Sequence, residues 1–451
     1  MLRYRSPLVQ IILLGFICFC CPGMFNALVG LAGMGGNEQS NTASDHANTA
    51  VYAAFCLSGL LAGGAVNLLG PRITIFASGL TYALYSASYI HFNHTGQQWL
   101  LITSGALLGV GAGVLWAAQG MIIISYPEEW NKGRYIGIFW VIFNLGSVLG
   151  GLIPFFIYLN DSRDQSQEAP HHSLSDVTYI AFVVLMTVGA SLGLVLAAPT
   201  SVRRDDGQYV ALHQYTNVTR EFIEMLKLFV NKWMLLLIPA FFSSNFFYTY
   251  QFKCYNQVLF NKRTASLNNS LYWLMQMIGS YLFGLVMDMP TINRRRRGFI
   301  GFAVSAVMFN GAWIGGVIIQ SKYSRSRDYT ASPIDLTDGA YAGPLVLYLL
   351  YGACDAIWQS YIYWILGSLT NQPETAARFA SMYKCTQSMG AAISWAIDAQ
   401  RIDYMNQLIG NWALLVLSLP LLLYVVWNIK DTNYVHEQYA EELVLKNHSE
   451  R

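Results

Sequence analysis

The chain has 451 residues, 54% of them hydrophobic and only 12% charged, with a formal charge of +2 and a mean hydropathy of +0.36. Soluble domains carry roughly 25% charged residues, so this sequence has about half the usual supply for a water-facing surface. An ordinary soluble enzyme is excluded, no nucleic-acid partner is expected, and the lipid bilayer is the solvent that fits.

A helix crosses a bilayer with roughly 20 largely apolar residues. Twelve stretches qualify, at about 8–31, 47–69, 73–91, 99–123, 135–158, 178–198, 233–254, 269–288, 298–320, 343–367, 378–398 and 410–429. The first, Pro7 to about Leu31, exceeds the roughly 7–15-residue apolar core of a signal peptide and lacks an A-x-A-like cleavage site. It is read as a membrane span retained in the mature protein. The seven cysteines, Cys18, Cys20, Cys21, Cys56, Cys254, Cys354 and Cys385, show no paired spacing and no companion histidines. They are read as small apolar core residues, and no disulfide, metal or cofactor is predicted.

Lys and Arg set the orientation, because cytoplasmic loops retain them. With both termini inside, the cytoplasmic segments hold Arg3, Arg5, Arg72, Lys132, Arg134, Arg203, Arg204, Arg220, Lys227, Arg294 to Arg297, Arg378 and Lys430. The opposite side holds Arg163, Lys253, Lys262, Arg263, Lys322, Arg325, Arg327 and Arg401, and none lies in its first loop, Ala32 to His46. This orientation puts the sequons at Asn93, Asn160 and Asn268 outside as candidate glycosylation sites, and those at Asn217 and Asn447 inside.

Residues 199–232 form the longest predicted cytoplasmic segment between spans. Within it, Phe222, Leu226, Phe229 and Trp233 recur at helical spacing among Arg220, Glu221, Glu224 and Lys227. That pattern suits either a helix lying on the membrane surface or an early extension of span seven.

The sequence echoes itself across this linker. Pro22-Gly-Met-Phe-Asn26 resembles Pro239-Ala-Phe-Phe-Ser243, and Gly63-x-x-x-Asn67 before Arg72 resembles Gly284-x-x-x-Asp288 before Arg294. Arg134-Tyr-x-Gly-x-Phe with Gly146 matches Arg378-Phe-x-Ser-x-Tyr with Gly390. Three matches in the same order indicate two related six-helix halves, 1–198 and 233–429, followed by a cytoplasmic tail, 430–451. Such halves enclose a midplane site and rock around it in facilitator-type transporters.

Gly70-Pro71-Arg72 with Asn67 resembles the G-x-x-x-D-x-x-G-x-R signature between spans two and three of the major facilitator superfamily. More narrowly, the N-terminal part is similar to the Unc-93-like branch, particularly its fungal-type members. The matching stretches are Met24-Phe-Asn-Ala-Leu28, Val66-Asn-Leu-Leu-Gly-Pro-Arg72, Asn93-His-Thr95 and Gly105-Ala-Leu-Leu-Gly109. They continue through Leu115-Trp-Ala-Ala-Gln-Gly120, Ser125-Tyr-Pro127, Lys132-Gly-Arg-Tyr135 and Phe143-Asn-Leu-Gly146. The resemblance implies an all-α membrane protein with the major facilitator fold, about twelve transmembrane helices in two pseudo-symmetric halves. It supplies no substrate. Asn67 departs from the signature, where an acid is usual, and a neutral amide cannot form the ion pair. Gly63, Asn67, Gly70, Arg72 and Asp288 therefore read either as a gating turn or as a tight turn alone.

Ionisable groups inside a span are costly and point to function. Asp355, in span ten, and Lys384, in span eleven, stand out. Three readings stand: Asp355 binds a coupled proton or cation, Asp355 and Lys384 form a lock, or Asp355 lines a wet cavity while Lys384 snorkels to the interface. Asn26, Gln119, Asn144, Asn245, Tyr248, Gln251 and Gln359, with Tyr250 and Gln276, are candidates to line a central cavity. The plainer alternative is helix-to-helix hydrogen bonding. The glycines of Gly105 to Gly113 lack the Lys-Ser/Thr pair of a phosphate loop and fit close helix packing. No triad, zinc motif or catalytic carboxylate pair is visible, so an enzyme is not expected. The sequence predicts a secondary transporter moving a small polar or amphipathic solute. The alternative is a non-transporting regulatory or trafficking subunit of another membrane protein.

Overall fold

The computed structural model describes residues 3–31, 38–59, 62–126, 132–157, 159, 174–203, 218–287, 289, 291–325, 333–370 and 373–431. Helix α1 (Pro7–Leu31) starts on Pro7, where the missing N–H costs nothing, and Ser6 caps it by accepting from the Val9 amide. Its middle, Phe19–Gly23, is a π-type turn around Pro22, since proline cannot donate into the regular ladder. Then come α2 (Glu38–Gly59), α3 (Ala62–Thr95), α4 (Trp99–Ser125), α5 (Lys132–Ile157) and α6 (Asp176–Leu192). Gly70, at φ 75°, bends α3 sharply just before Pro71, a conformation that favours glycine.

Helix α7 (Val218–Leu228) is short and separate, and Asn231 caps the next helix by accepting from the Trp233 and Met234 amides. Helix α7 is thus a separate element from the helix that follows. Helix α8 comprises a regular part, Lys232–Phe246, and the π-type stretch that continues it, Tyr250–Gln257. The remaining helices are α9 (Lys262–Met287), α10 (Arg294–Gln320), α11 (Ala342–Leu369), α12 (Pro373–Ala399) and α13 (Tyr404–Trp427).

Seven of the described helical stretches are long and apolar enough, by length and composition, to cross a membrane. They are Pro7–Leu31, Trp99–Ile123, Gly137–Ile157, Asp176–Val195, Lys262–Met287, Arg294–Gln320 and Tyr404–Trp427. The expected dozen is therefore not met by length and apolarity alone. Helix α2 opens on a polar run, Glu38 to Asn48, α8 carries Lys253, and α12 carries Arg378, Lys384 and Asp398. The polarity of these helices is turned inward. Val307 is 73% exposed and Leu57 70%, whereas Asp355 is 0% and Asp398 4% exposed. Apolar side chains outside and polar ones inside is the arrangement a bilayer selects, and the chain is an integral, multi-pass, all-α membrane protein.

Packing is close. Helix α2 lies against α4 and α12, α3 against α4 and α6, α5 against α9, α8 against α12 and α13, and α9 against α11. At Gly390 an added Cβ would overlap the Phe242 carbonyl oxygen, and at Gly146 that of Phe19. Only glycine lets those backbones meet, as in other helix-to-helix contacts in lipid.

Candidate functional site

A small central cavity of about 70 Å³ is walled by residues of α1 to α5, α8, α9, α11 and α12. Asn26, Asn144, Asn245, Tyr248 and Gln359 line it, joined by Gln276, Lys384 and Gln387. The sequence thus names a scattered polar set that the fold gathers around one space. Asn144 is 3% exposed, and its Oδ1 has no hydrogen-bond partner; neither has Nε1 of the neighbouring wall residue Trp273. Both atoms are closed off from the open space of the cavity, so each is an unmet hydrogen bond within the packing around it.

Behind the wall lies Asp355, fully buried on α11. Gln359, one turn along the same helix, donates from Nε2 to its Oδ1 at 2.6 Å. The Tyr272 hydroxyl lies 3.1 Å from Oδ2 and 2.7 Å from Oε1 of Gln251. Gln276 also donates to Oδ2. Neutral donors, rather than a cation in contact, surround the carboxyl.

Lys384 reaches Asp355 only through two amides. Its Nζ donates to Gln387 Oε1 at 2.9 Å, Gln387 Nε2 donates to Gln359 Oε1 at 3.1 Å, and Gln359 donates to Asp355. Gln387 also donates to Asn245 Oδ1 at 2.8 Å. The ammonium sits 5.2 Å from the Trp116 ring centre, 5.4 Å from Tyr383 and 5.6 Å from Tyr363, within the range of cation–π attraction. The acid and the base are therefore ends of one relay, not a direct ion pair, and Lys384 is held at the cavity wall.

A second polar assembly lies at one end of the bundle. Lys253 on α8 pairs with Asp45 on α2, with side chains 6% and 4% exposed. Lys253 also donates to the Asn41 carbonyl at 2.8 Å. Arg325 pairs with Asp398 on α12, which also accepts from Gln407 at 2.7 Å.

The sequence profile described as ion channel regulatory protein UNC-93 matches residues 37–423. The chain belongs to the UNC-93-like family. Among its relatives, UNC93-like protein 1 of Arabidopsis thaliana is 46% identical over 94% of this chain and 91% of its own length. UNC93-like protein C922.05c of Schizosaccharomyces pombe is 42% identical over 94% of this chain and 83% of its own. Among solved structures, the Escherichia coli fucose:proton symporter aligns with a TM-score of 0.62 at 13% identity, covering 94% of this chain and 99% of that one. The E. coli xylose transporter, in a partially occluded inward-open conformation, gives 0.61 at 14% identity over 93% and 97%. These likenesses establish that this UNC-93-like chain has a fold of the major facilitator kind.

The other sequence candidates divide. Gln251 stands one layer behind the wall with Asp355. Gln119 is 9% exposed but is not among the wall residues, and Tyr250 donates instead to Gln320 at 2.9 Å. In the turn, Gly70 has its left-handed φ, Arg72 donates to the Leu194 carbonyl, and Gly63 is helical in α3. The side chain of Asn67, and Asp288 entirely, lie outside the described residues, as do Asn160, Asn217 and Asn447.

Two glycosylation candidates are buried and hydrogen-bonded in this fold. Asn93 is 4% exposed and spends its Nδ2 on the Leu174 carbonyl at 3.1 Å and Asp176 Oδ1 at 3.0 Å. Asn268 is 0% exposed and bonded to Asn256 and Tyr341. In both, the side-chain nitrogen is engaged in a hydrogen bond at the end of a helix.

Sequence reasoning missed the aromatic part of the wall, which includes Phe25, Tyr52, Trp116, Trp140 and Trp273. In a membrane sequence, an aromatic facing a cavity looks like one facing lipid. It also missed Asp45 and Asp398 as the partners of Lys253 and Arg325, which were counted only among the basic residues of the external side. The one available signal was an acid or base just inside a span's end.

Proposed function

We propose that this UNC-93-like chain is a secondary transporter that moves a small polar or amphipathic solute by alternating access. On this reading two six-helix bundles, 1–198 and 233–429, rock about the central cavity, joined by the linker 199–232, with both termini and the tail 430–451 cytoplasmic. Helices α2 and the first turns of α3 then make one bent span, and α8 with its π-type extension another, giving twelve in all. The observation that carries the reading is the cavity itself. Its wall is shared by helices from both proposed bundles and has an aromatic lining, and Lys384, Gln387 and Gln359 on it lead by hydrogen bonds to the buried Asp355 behind it. The fucose:proton symporter and the xylose transporter with the same fold support it.

In this scheme Asp355 is the coupling group, because a buried acid held by neutral donors can take or release a proton without breaking an ion pair. Lys384 tunes it through the amides. The Asp45–Lys253 contact joins the two bundles at the external end and opens when the cavity faces outward. Asn67, Gly70, Arg72 and Asp288 make the cytoplasmic turns.

The test is an untargeted metabolite comparison of cells with and without the gene. Uptake of the differing solute into proteoliposomes follows, using the wild type and Asp355→Asn. Uptake driven by a pH gradient in the wild type and lost in the variant is expected; uptake indifferent to both removes the coupling role. The description of the family profile as an ion channel regulator favours a second reading, a non-transporting subunit. A stoichiometric membrane-protein partner with no solute difference and no uptake would establish that one instead.

A further inference from the structure

Cys56 on α2 and Cys385 on α12 are 329 positions apart in sequence, yet their sulfurs lie 3.3 Å from one another. We propose that this pair is an oxidation site, at which the two thiols close to a disulfide that staples α2 to α12 and arrests their relative motion.

The geometry carries this. A disulfide needs an S–S distance of about 2.05 Å, so the sulfurs have roughly 1.3 Å to travel. Side-chain rotation and small helix shifts suffice. Among the described residues, no other two cysteine sulfurs are in contact. Cys56 is half-buried, whereas Cys385 is 5% exposed, which gives an accessible thiol for first attack and a sheltered one to resolve it.

Each helix is also fixed to its own neighbours. A Cβ at Gly109 of α4 would overlap the Val51 carbonyl of α2, and one at Gly390 of α12 would overlap the Phe242 carbonyl of α8. A bond between α2 and α12 therefore ties together two tightly seated groups of helices, not two loose strands of side chain. It does so beside the cavity, since Phe55 and Lys384, the residues just before each cysteine, are on the wall.

The oxidant is a peroxide. The Cys56 sulfur, acting as thiolate, displaces one oxygen of hydrogen peroxide and becomes a sulfenic acid, with release of water. The Cys385 sulfur attacks that sulfur, the S–O bond breaks, and the hydroxyl leaves as water with the thiol proton. Two thiols and one peroxide give one disulfide and two waters, and a dithiol reductant reverses the bond by exchange.

That the staple stops a transport cycle rests on the reading above; formation of the bond does not. The purified full chain in nanodiscs is treated with hydrogen peroxide and mapped by peptide mass spectrometry, then reduced with dithiothreitol. A Cys56–Cys385 linked peptide, and loss of two of the seven maleimide-reactive thiols in SDS after oxidation, are expected. Both should be reversed by dithiothreitol and absent in Cys56→Ser and Cys385→Ala.

Amide hydrogen exchange in α2 and α12 should slow at least about threefold in the oxidised wild type and be unchanged in the variants. Absence of the linked peptide, or its equal formation in protein already denatured before oxidation, overturns the site. A linked peptide with unaltered exchange overturns the staple. A linked peptide with slowed exchange in a protein that takes up no solute leaves the staple standing and removes the transport reading.

Discussion

Lys253 and Asp45 offer the sharpest energetic test, because each is almost wholly buried and they face one another from helices far apart in sequence. In Lys253→Met the Asp45 carboxylate stays in place with its cation gone, and in Asp45→Asn the ammonium is left with the Asn41 carbonyl and the Trp395 ring 5.7 Å away. Breaking a buried pair by removing one partner costs about 3–5 kcal/mol, which is roughly a 100- to 4,000-fold change in an equilibrium at about 1.4 kcal/mol per decade. Both single variants are expected within that range. The double variant removes both charges, so it should cost less than either single one, about 1 kcal/mol, for the lost hydrogen bonds. The assay is a double-mutant cycle in SDS-induced unfolding of the purified protein. A parallel measurement follows labelling of Cys254, which is 0% exposed beside Asp398 and Gln407, by an impermeant maleimide added from outside. Singles that label faster and a double that returns toward the wild-type rate are expected. Single costs within about 0.5 kcal/mol of zero, or a double variant whose cost is the sum of the two, would refute the claim that a desolvated ion pair holds α2 to α8.

Other expectations follow from the same structure. Gln359→Leu cuts the relay at its centre and strips Asp355 of its 2.6 Å donor. Uptake of the identified solute should fall about 10- to 100-fold, as expected for losing a hydrogen bond to an ionised group worth about 1.5–3 kcal/mol, while surface expression is unchanged. Gly390→Ala forces a Cβ onto the Phe242 carbonyl and should destabilise by about 1–3 kcal/mol in SDS unfolding, whereas Gly410→Ala, where a Cβ meets nothing within 4 Å, should change little. In the loop before α11, the Arg263 guanidinium holds the Asp335 carboxyl well below the usual carboxylate range, helped by Thr337, Asn261 and Thr264. A depressed carboxyl stabilises above its unfolded value of about 3.9, and the stability drains away as pH falls below that. Asp335→Asn should therefore lower the unfolding midpoint at pH 7, since the variant loses the Arg263 pair and weakens the bonds from Asn261, Thr264 and Thr337. The gap from wild type should narrow steadily in melts taken below about pH 4.

Much of this molecule was legible in its residue order. The excess of apolar over charged residues dictates a bilayer, and the Unc-93-like motifs around Gly70-Pro71-Arg72 name the family that the profile and the relatives confirm. The polar residues Asn26, Asn144, Asn245, Tyr248 and Gln359 could be singled out because an amide or phenol inside an apolar run has a cost that must be met somewhere. What meets it is not local. Sequence gives a helix its turn-by-turn neighbours, so Gln359 beside Asp355 and Gln387 beside Lys384 are readable as one-turn pairs. That the two pairs join into one relay depends on how α11 and α12 lie together. The burial of Asn93 and Asn268, and of the Lys253 charge, likewise depends on which helix covers each residue, and a sequon or a span-end lysine reads the same whether covered or open. The aromatic wall and the Cys56–Cys385 contact lie beyond sequence for a related reason. In a bilayer both faces of a helix are apolar, so the pattern that separates inside from outside in water is lost, and only the packed structure says which side faces the cavity.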